Sequence, residues 1–420
     1  MTISKRAVLA GGVAGLGLGL AGVLAAQPRP LRIRRPVSSL RPDDPDLEAL
    51  RRAIPLMKRA GVWDAQIALH ADMRQRHHSS WRFLPWHRLQ LVWFERQVAR
   101  FSGRATFALP FWDWDDDTVP NIMVDDPAFA IPGRDVRRGE SLAAFMREAN
   151  QTFRGRITDD FNTFFGRARN VGVGAGPGYS GSAEWSGHNM IHGFVGGQMG
   201  MLNRAPNDPL FWMHHCNIDR IWSHWHARRS DQIYPRQWRE EVFQGFTDTN
   251  GRIAPAVTAA STIATAGFGY DYEPDPSPPI VFATGPARLL REETLAWAAE
   301  VTSPDTARLI VPADAMAGSK VSAIGYLELA PDPENTSVVK ITASDRNGDI
   351  GFAESIFLVP SAFCESRQGF RIAMSSLWGF ASEGDVTLTL QASPLAGRGK
   401  PVTTTRVESF ILDAEIIWNE

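Results

Sequence analysis

The chain has few cysteines: Cys216 and Cys364 are the only two in 420 residues. Two cysteines cannot build a disulfide framework, although a single bridge between them stays open. The chain also has no large excess of one charge, since it contains 44 basic and 46 acidic residues. We therefore expect no nucleic-acid partner. Tyrosine is scarce, five against 14 tryptophans and 23 phenylalanines, and we expect most of this aromatic content in the core.

The N-terminus holds a long apolar stretch. Residues 7–26 are mainly Gly, Ala, Leu and Val, and they follow Lys5-Arg6. A basic start, an apolar stretch and small residues at its end are typical of an export signal. The Ser4-Lys5-Arg6 start resembles a twin-arginine signal with Lys in place of the first Arg. We therefore predict a signal over residues 1–26 and a periplasmic or secreted protein.

An uncleaved membrane anchor is the alternative for this segment, because about 20 apolar residues just span a bilayer. Six glycines between residues 7 and 26 make it a poor anchor. Cleavage near Ala26 is therefore expected, and no stable membrane span should remain.

Apolar spacing predicts the architecture of the rest. Residues such as Leu47, Leu50 and Ile54 recur at helical spacing from about 46 to 100. Further helical stretches are predicted near 141–154, 208–229 and 287–299, and a surface loop at the Gly-rich residues 171–182. The segment DYEPDPSPP at 271–279 is typical of a stiff linker.

Short β-branched runs follow the linker, and they indicate strands bounded by turn residues. These runs are 308–311, 320–328, 337–343, 350–358, 370–375, 385–391 and 404–417. The predicted fold class is α+β with more than one domain. A mainly helical metal-binding domain with a four-helix core (27–280) precedes an all-β sandwich or barrel (300–420).

Histidine is confined to one part of the chain: all ten lie between His70 and His226. Scattered structural histidines would not avoid nearly half a chain. Imidazole suits copper, zinc, iron and nickel, so this cluster is a metal-site candidate.

One candidate set lies around two helical segments. His188 and His192 are four residues apart, which puts both rings on one helix face. This spacing alone is weak evidence. The segment DPLFWMHHCNIDRIW at 208–222 adds His215, with Asp219 four residues later. A carboxylate there is expected to accept the other ring N–H of His215 and orient it.

A second candidate set lies upstream. His78 and His87 are nine residues apart. At about 100° per residue, one unbroken helix would point the two side chains in opposite directions, so they could not bind the same ion. Pro85 supplies a break, which predicts His78 on a loop and His87 in the first turn of a new helix. His70 lies in the preceding helix, and His77 stays open as a substitute for His78. Two all-histidine sets favour a facing pair of copper ions over two zincs.

Several motifs resemble the plant-type polyphenol oxidases and tyrosinases, a family of dinuclear copper proteins. The resemblance covers most of residues 60–225, in the family's order. Its segments are HSSWRFLPWHRLQLVWFER (78–96), FALPFWDWDD (107–116), GHNMIHGFVGGQMG (187–200) and DPLFWMHHCNIDRIW, followed by QWREEVFQGFTDTNG (237–251).

The resemblance assigns ligands by position. One copper would be held by His70, His78 and His87, and the other copper by His188, His192 and His215. Where the plant enzymes join the second histidine to a cysteine, the loop between His70 and His78 has none, so that crosslink cannot form.

Two further positions bear on the reaction that the resemblance implies. Glu184 and Asn189 fall where the family holds a water that deprotonates a phenol, whose pKa is about 10. A solvated loop carboxylate is the alternative for Glu184. Leu202 stands where the family has a bulky aromatic residue, which implies a wider substrate entrance.

The implied function is an oxidase that uses dioxygen to ortho-hydroxylate monophenols and to oxidise o-diphenols to o-quinones. A catechol oxidase without monophenol activity, a hemocyanin-like oxygen carrier and a zinc hydrolase are the alternatives. The C-terminal domain would shield the site until a protease cuts the linker, or it would be purely structural. The sequence leaves the natural phenol and the oligomeric state open.

Overall fold

A computed structural model describes residues 31–148, 161–167, 179–228 and 234–274, and beyond 288 the strands given below with their nearest neighbours. The predicted export signal, Cys364 and most of the Gly-rich loop and of the linker lie outside the described residues. Within the described ranges, no helix is both long enough and apolar enough to cross a membrane.

The N-terminal part of the chain is mainly helical, as predicted. Its α-helices are, in chain order, α1 (Pro45–Arg59), α2 (Val62–Ala71), α3 (Phe83–Ser102), α4 (Asn121–Asp125), α5 (Leu142–Glu148), α6 (Phe161–Phe165), α7 (Asn189–Val195), α8 (Pro209–Ala227) and α9 (Arg236–Glu240). A π-helix, Ala183–His188, runs directly into α7. The long helix α3 packs against α1 and α8 in the centre of the core.

Local sequence explains where α1 and α8 begin. The Asp44 carboxylate accepts a hydrogen bond from the Asp46 N–H at 2.9 Å, and proline occupies the first helical position of α1. The Asp208 carboxylate accepts a hydrogen bond from the Leu210 N–H at 2.8 Å, and proline also occupies the first helical position of α8. Such carboxylates satisfy amides that have no partner inside the helix.

Pro85 sets the position of α3. The helix begins at Phe83, so the proline lies in the first turn, where its missing N–H is not needed. His78 precedes the helix in a loop, as predicted, and His87 opens the second turn rather than lying in the first.

The strands are β1 (Arg32–Arg34), β2 (Gly166–Arg167), β3 (Tyr179–Ser180), β4 (Val242–Phe243), β5 (Val257–Thr258), β6 (Tyr270–Tyr272), β7 (Leu289–Ala298), β8 (Glu300–Ser303), β9 (Thr306–Val311), β10 (Lys320–Ala330), β11 (Ser337–Ser344), β12 (Ile350–Leu358), β13 (Arg367–Ile372), β14 (Val386–Pro394) and β15 (Arg406–Asn419). One sheet has the order β2-β3-β13-β10-β15-β7 and another the order β12-β11-β14-β9-β8. Each of the seven β-branched runs overlaps a strand. A separate all-β domain remains a prediction.

The expectation of a helix after the linker is wrong. Residues 289–298 form strand β7, antiparallel to β15, instead of a helix. Pairing along a whole neighbouring strand outweighs the helix propensity of the segment LLREETLAWA. The start of the predicted linker is also a strand, since Asp271 and Tyr272 of β6 pair in parallel with β1. The predicted linker from residue 275 onwards lies outside the described residues.

The C-terminal strands reach the helical body near the π-helix. Phe370 of β13 pairs with Ser180 of β3, just before the π-helix begins. Strand β12 lies beside both the π-helix and α7, and Val338 of β11 belongs to the main hydrophobic core. The segment that carries His188 is thus contacted by both parts of the chain.

Candidate metal centre

The first histidine set is assembled from two helices and a loop. His70 lies near the end of α2, His78 in the following loop and His87 in α3. The ring centres are 5.1 Å apart for His70 and His78, 5.4 Å for His70 and His87, and 5.0 Å for His78 and His87. The Nε2 atoms of His70 and His78 approach to 3.2 Å.

The second set comes from the π-helix, α7 and α8. The rings of His188 and His192 lie 4.3 Å apart, and the His215 ring lies 4.8 Å and 5.5 Å from them. The Nε2 atoms of His192 and His215 approach to 3.4 Å. The π-helix places Glu184 and His188 together, in a helix type that is common at functional sites.

The two sets face each other. His87 and His215 stack with ring centres 4.4 Å apart, and His78 lies 5.5 Å from His188. These contacts join α3 to α8 and the loop to the π-helix. Six rings from separate elements thus meet around one centre.

Burial and hydrogen bonding fix the chemical state of the rings. Burial lowers the pKa of His70, His87, His188 and His215 well below its ordinary value, and that of His192 to about 3. These imidazoles are therefore neutral at pH 7, and each has one donor and one acceptor nitrogen.

The Nδ1 atoms face outwards. Those of His70, His87 and His192 donate to the carbonyls of Leu202 (2.9 Å), Phe83 (2.8 Å) and Met199 (2.6 Å). With Nδ1 as donor, the lone pair is on Nε2 and points into the centre. The Nε2 atoms of His87 and His188 are buried with no hydrogen-bond partner. Converging neutral lone pairs without donors fit a metal that imidazole binds, and copper is one.

Each set contains a fourth ring that sequence spacing did not assign as a ligand. The potential ligand atoms of His70, His77, His78 and His87 all lie within 4.8 Å of one another, and so do those of His188, His192, His214 and His215. Both extra histidines are buried, and neither ring nitrogen of either one makes a hydrogen bond.

Glu184 and Asn189 each touch a ring of one set. The Glu184 carboxylate accepts from His78 Nδ1 at 3.0 Å and from the Ser79 N–H at 2.9 Å. The Asn189 side-chain carbonyl accepts from His188 Nδ1 at 2.8 Å. Glu184 is only 3 % exposed, so it is not a solvated loop carboxylate.

Asp219 does not orient His215, and that prediction is corrected by the structure. Its carboxylate accepts from the hydroxyls of Tyr270 and Tyr272, both at 2.7 Å, and from the guanidinium groups of Arg34 and Arg88. His215 Nδ1 has no hydrogen-bond partner within the described part of the chain. The two buried arginines, which come from β1 and α3, hold the carboxylate away from the ring.

Leu202 and Cys216 take defined places near the centre. Leu202 is largely buried, and its carbonyl is the acceptor for His70 Nδ1. Cys216 is a free, buried thiol whose Sγ lies 3.4 Å from the Leu109 carbonyl. Burial raises the pKa of this thiol to about 12, so it is protonated at pH 7, and it belongs to neither histidine set.

Fold and site together define a class: a helical protein with a candidate dinuclear metal centre of histidine-only ligands. The family model for the common central domain of tyrosinase matches residues 60–153 and 134–228. A latent chloroplastic polyphenol oxidase from Prunus armeniaca is 32 % identical over 275 residues, which are 56 % of this chain and 44 % of that protein. A tyrosinase from Streptomyces antibioticus is 31 % identical over 214 residues, 42 % of this chain and 77 % of that protein.

A solved structure has a similar fold along most of the chain. Latent apple tyrosinase superposes with a TM-score of 0.67 at 21 % identity and covers 94 % of this chain and 98 % of its own. The sequence match spans less than half of the apricot enzyme, but most of the bacterial one. The chain belongs to the tyrosinase family of dinuclear copper proteins.

Proposed function

We propose that this chain ortho-hydroxylates monophenols and oxidises the resulting o-diphenols to o-quinones with dioxygen. The observation that supports this most is the pair of facing imidazole trios with their Nε2 atoms directed inwards. His70, His78 and His87 would hold one copper ion, and His188, His192 and His215 the other. Copper, when bound, supplies the redox chemistry that couples dioxygen to the phenol.

The protein's own groups would position and deprotonate the phenol. A phenol has a pKa of about 10, so a base beside the centre is needed for binding as phenolate. A carboxylate offers about four lone-pair positions. His78 Nδ1 and the Ser79 N–H make three contacts with Glu184. One position therefore remains for a water or a phenol hydroxyl, and Asn189 lies beside the second set to help hold it.

Ring orientation would be a second task of these residues. The contacts of Glu184 hold His78 in a loop that has no cysteine crosslink. The hydrogen bond from His188 Nδ1 to the Asn189 side chain would leave the Nε2 lone pair of His188 available to the metal. Partners of this kind orient metal-binding imidazoles and raise their basicity.

Shielding and export complete the proposal. The C-terminal strands would cover the centre until the segment after Tyr272 is cut, since β12 lies beside the π-helix and α7. Leu202 in place of an aromatic residue would leave the entrance wide. Export by residues 1–26 stays a prediction.

The test uses the full chain loaded with copper. Two coppers per chain, oxygen uptake with tyrosine and with a catechol, and quinone formation from both are expected. The matched variant His215→Ala should lose copper and activity while it keeps its helical content. Turnover of catechols alone would overturn the monophenol step, and reversible oxygen binding without turnover would overturn the oxidase.

A further inference from the structure

A single loop supplies hydrogen-bond acceptors to both histidine sets. The loop of residues 196–202 follows directly on α7 and leads towards α8. Its Met199 carbonyl accepts from His192 Nδ1 at 2.6 Å, and its Leu202 carbonyl accepts from His70 Nδ1 at 2.9 Å. His192 belongs to the second set and His70 to the first. Two acceptors three residues apart therefore orient one ring in each set, and we call residues 196–202 the bridging loop.

These two contacts decide which nitrogen of each ring is able to bind a metal. A neutral imidazole carries one proton, and the nitrogen opposite that proton has the lone pair. The carbonyls of the bridging loop hold the proton on Nδ1 and leave the Nε2 lone pair free. The ring of His87 is held differently, because its acceptor is the Phe83 carbonyl of its own helix α3. Of these three rings, only His70 and His192 depend on the bridging loop.

The bridging loop is seated against residues 133–135. Gly196 (φ 63°) and Gly197 (φ 55°) both have a left-handed φ, which glycine adopts without strain. A Cβ atom on Gly197 would lie 2.3 Å from the Gly133 carbonyl oxygen, so backbone packs directly on backbone here. Beside this contact, the Asp135 N–H donates to the last carbonyl of α7 at 2.8 Å. Any side chain larger than that of glycine would therefore displace the loop.

Further contacts tie the bridging loop and its seat to helices that carry histidines. Arg134 pairs with the Asp208 carboxylate, with 2.7 Å between Nε and Oδ2, and that carboxylate caps α8. On the other side, the Asn207 side chain accepts from Trp63 Nε1 of α2 at 2.9 Å and donates to Gln198 Oε1 at 2.6 Å. The bridging loop is thus fixed relative to α2 and α8, and each of these helices carries a histidine of one set.

We infer that the bridging loop is a positioning element shared by the two metal sites and that its place depends on Gly197. The inference rests on the proposed dinuclear centre. A side chain at Gly197 would push the loop off residues 133–135 and move both carbonyls with it. His70 and His192 would then lose their acceptors, so their protons would no longer be held on Nδ1. Both metal sites would weaken together.

The experiment compares Gly197→Ala with Gly251→Ala in the full-length chain. Gly251 is also left-handed (φ 79°), but no atom of the described residues lies within 4 Å of a Cβ built there. This control therefore introduces backbone strain without displacement. In the metal-free chains, nitrogen-15 NMR of the histidine rings reports which nitrogen carries the proton. The ring signals are assigned by their loss in His70→Ala, His192→Ala and His87→Ala.

The wild type and Gly251→Ala are expected to carry the proton on Nδ1 of both His70 and His192. In Gly197→Ala both rings should show protonation of Nε2, while His87 stays unchanged because its acceptor lies in its own helix. A Gly197→Ala chain that keeps both protons on Nδ1 would overturn the inference. A wild-type chain with either proton on Nε2 would also overturn it, even if Gly197→Ala does not fold.

Copper affinity separates this inference from the proposed ligand set. His215→Ala leaves the first set intact and His87→Ala leaves the second, and copper(I) affinity in each background is measured by competition with a chromogenic chelator. Loss of a group that orients a ligand weakens metal binding about 10–100-fold, so Gly197→Ala should weaken it by about tenfold or more in both backgrounds and Gly251→Ala in neither. Weakening in one background alone would overturn the shared role. Absence of copper from both backgrounds would overturn the proposed ligand set, and the ring protons then decide alone whether the loop orients both rings.

Discussion

The structure makes a sharp prediction for Asp219→Asn. The carboxylate is almost fully buried and faces two buried guanidinium groups, those of Arg34 and Arg88. Glu95 is the other carboxylate that pairs with Arg34. Replacing Asp219 by a neutral amide leaves a buried positive charge without compensation.

Removing one partner of a buried ion pair costs about 3–5 kcal/mol. For a domain of 150–250 residues each kcal/mol shifts the melting temperature by about 2–4 °C, so the expected loss is about 6–20 °C. Asp113→Asn is the matched control, since Asp113 pairs with Arg220 at 3.0 Å where both side chains are about one-fifth exposed. A pair of this kind contributes about 0–1 kcal/mol.

The assay compares melting of the metal-free chains with their copper affinity. Asp219→Asn should melt early but bind copper normally once folded, because the Asp219 carboxylate makes no hydrogen bond with His215. Weaker copper binding at an unchanged melting temperature would refute this reasoning and restore the orienting role.

The same carboxylate gives a pH dependence with a defined sign. Burial alone would raise the pKa of Asp219, but its partners Arg88 and Arg34 and the two tyrosine hydroxyls together outweigh burial and lower that pKa. In the unfolded chain the pKa of an aspartate is about 3.9. Because the pKa of Asp219 is lower in the folded chain, its ionised form stabilises the fold at pH values above about 3.9. The stability difference between wild type and Asp219→Asn should therefore be constant near neutral pH. It should shrink as pH falls below about 4 and through the folded pKa, as measured by urea unfolding.

Three further predictions concern the reaction and its control. Glu184→Gln should lower monophenol turnover by about 100-fold or more, measured as oxygen uptake, because a neutral amide cannot take the proton of the phenol; unchanged monophenol turnover would count against the base. His188→Ala should remove one of two coppers per chain in a metal assay, and retention of both would contradict its role. Limited proteolysis between residues 275 and 288 should raise turnover of a bulky catechol, and unchanged turnover would mean that the C-terminal strands do not shield the site.

Local patterns were sufficient for much of this site. The spacing of His188 and His192 within one helical segment predicts adjacent rings, and these lie 4.3 Å apart. Pro85 marks the start of α3 and thereby separates His78 from His87. Both inferences use only the geometry of a single helix, which the sequence determines directly. The strand runs beyond residue 300 were equally local, since alternation and turn residues mark their ends.

The two extra histidines needed information that spacing does not contain. His77 and His78 are adjacent in a loop, where spacing does not determine the direction of a side chain, yet both rings lie in the first set. Residues adjacent in a helix point about 100° apart, which predicts that His214 turns away from the metal. Its ring nevertheless lies 4.8 Å from that of His192, because the π-helix that leads into α7 packs against α8. Packing between helices, not the pattern within one, decides which rings converge.

Asp219 also shows that spacing within one helix does not determine the contacts of a side chain. Its position four residues after His215 put it on the correct helix face, yet the side chain is taken by partners far away in sequence. Arg34 is 185 residues distant and Arg88 is 131 residues distant. Two buried guanidinium groups attract a carboxylate more strongly than one neutral imidazole N–H does, since charge-assisted hydrogen bonds are about twice as strong as neutral ones. A carboxylate one turn from a ligand histidine is therefore good evidence for an orienting role only where no buried arginine can reach it.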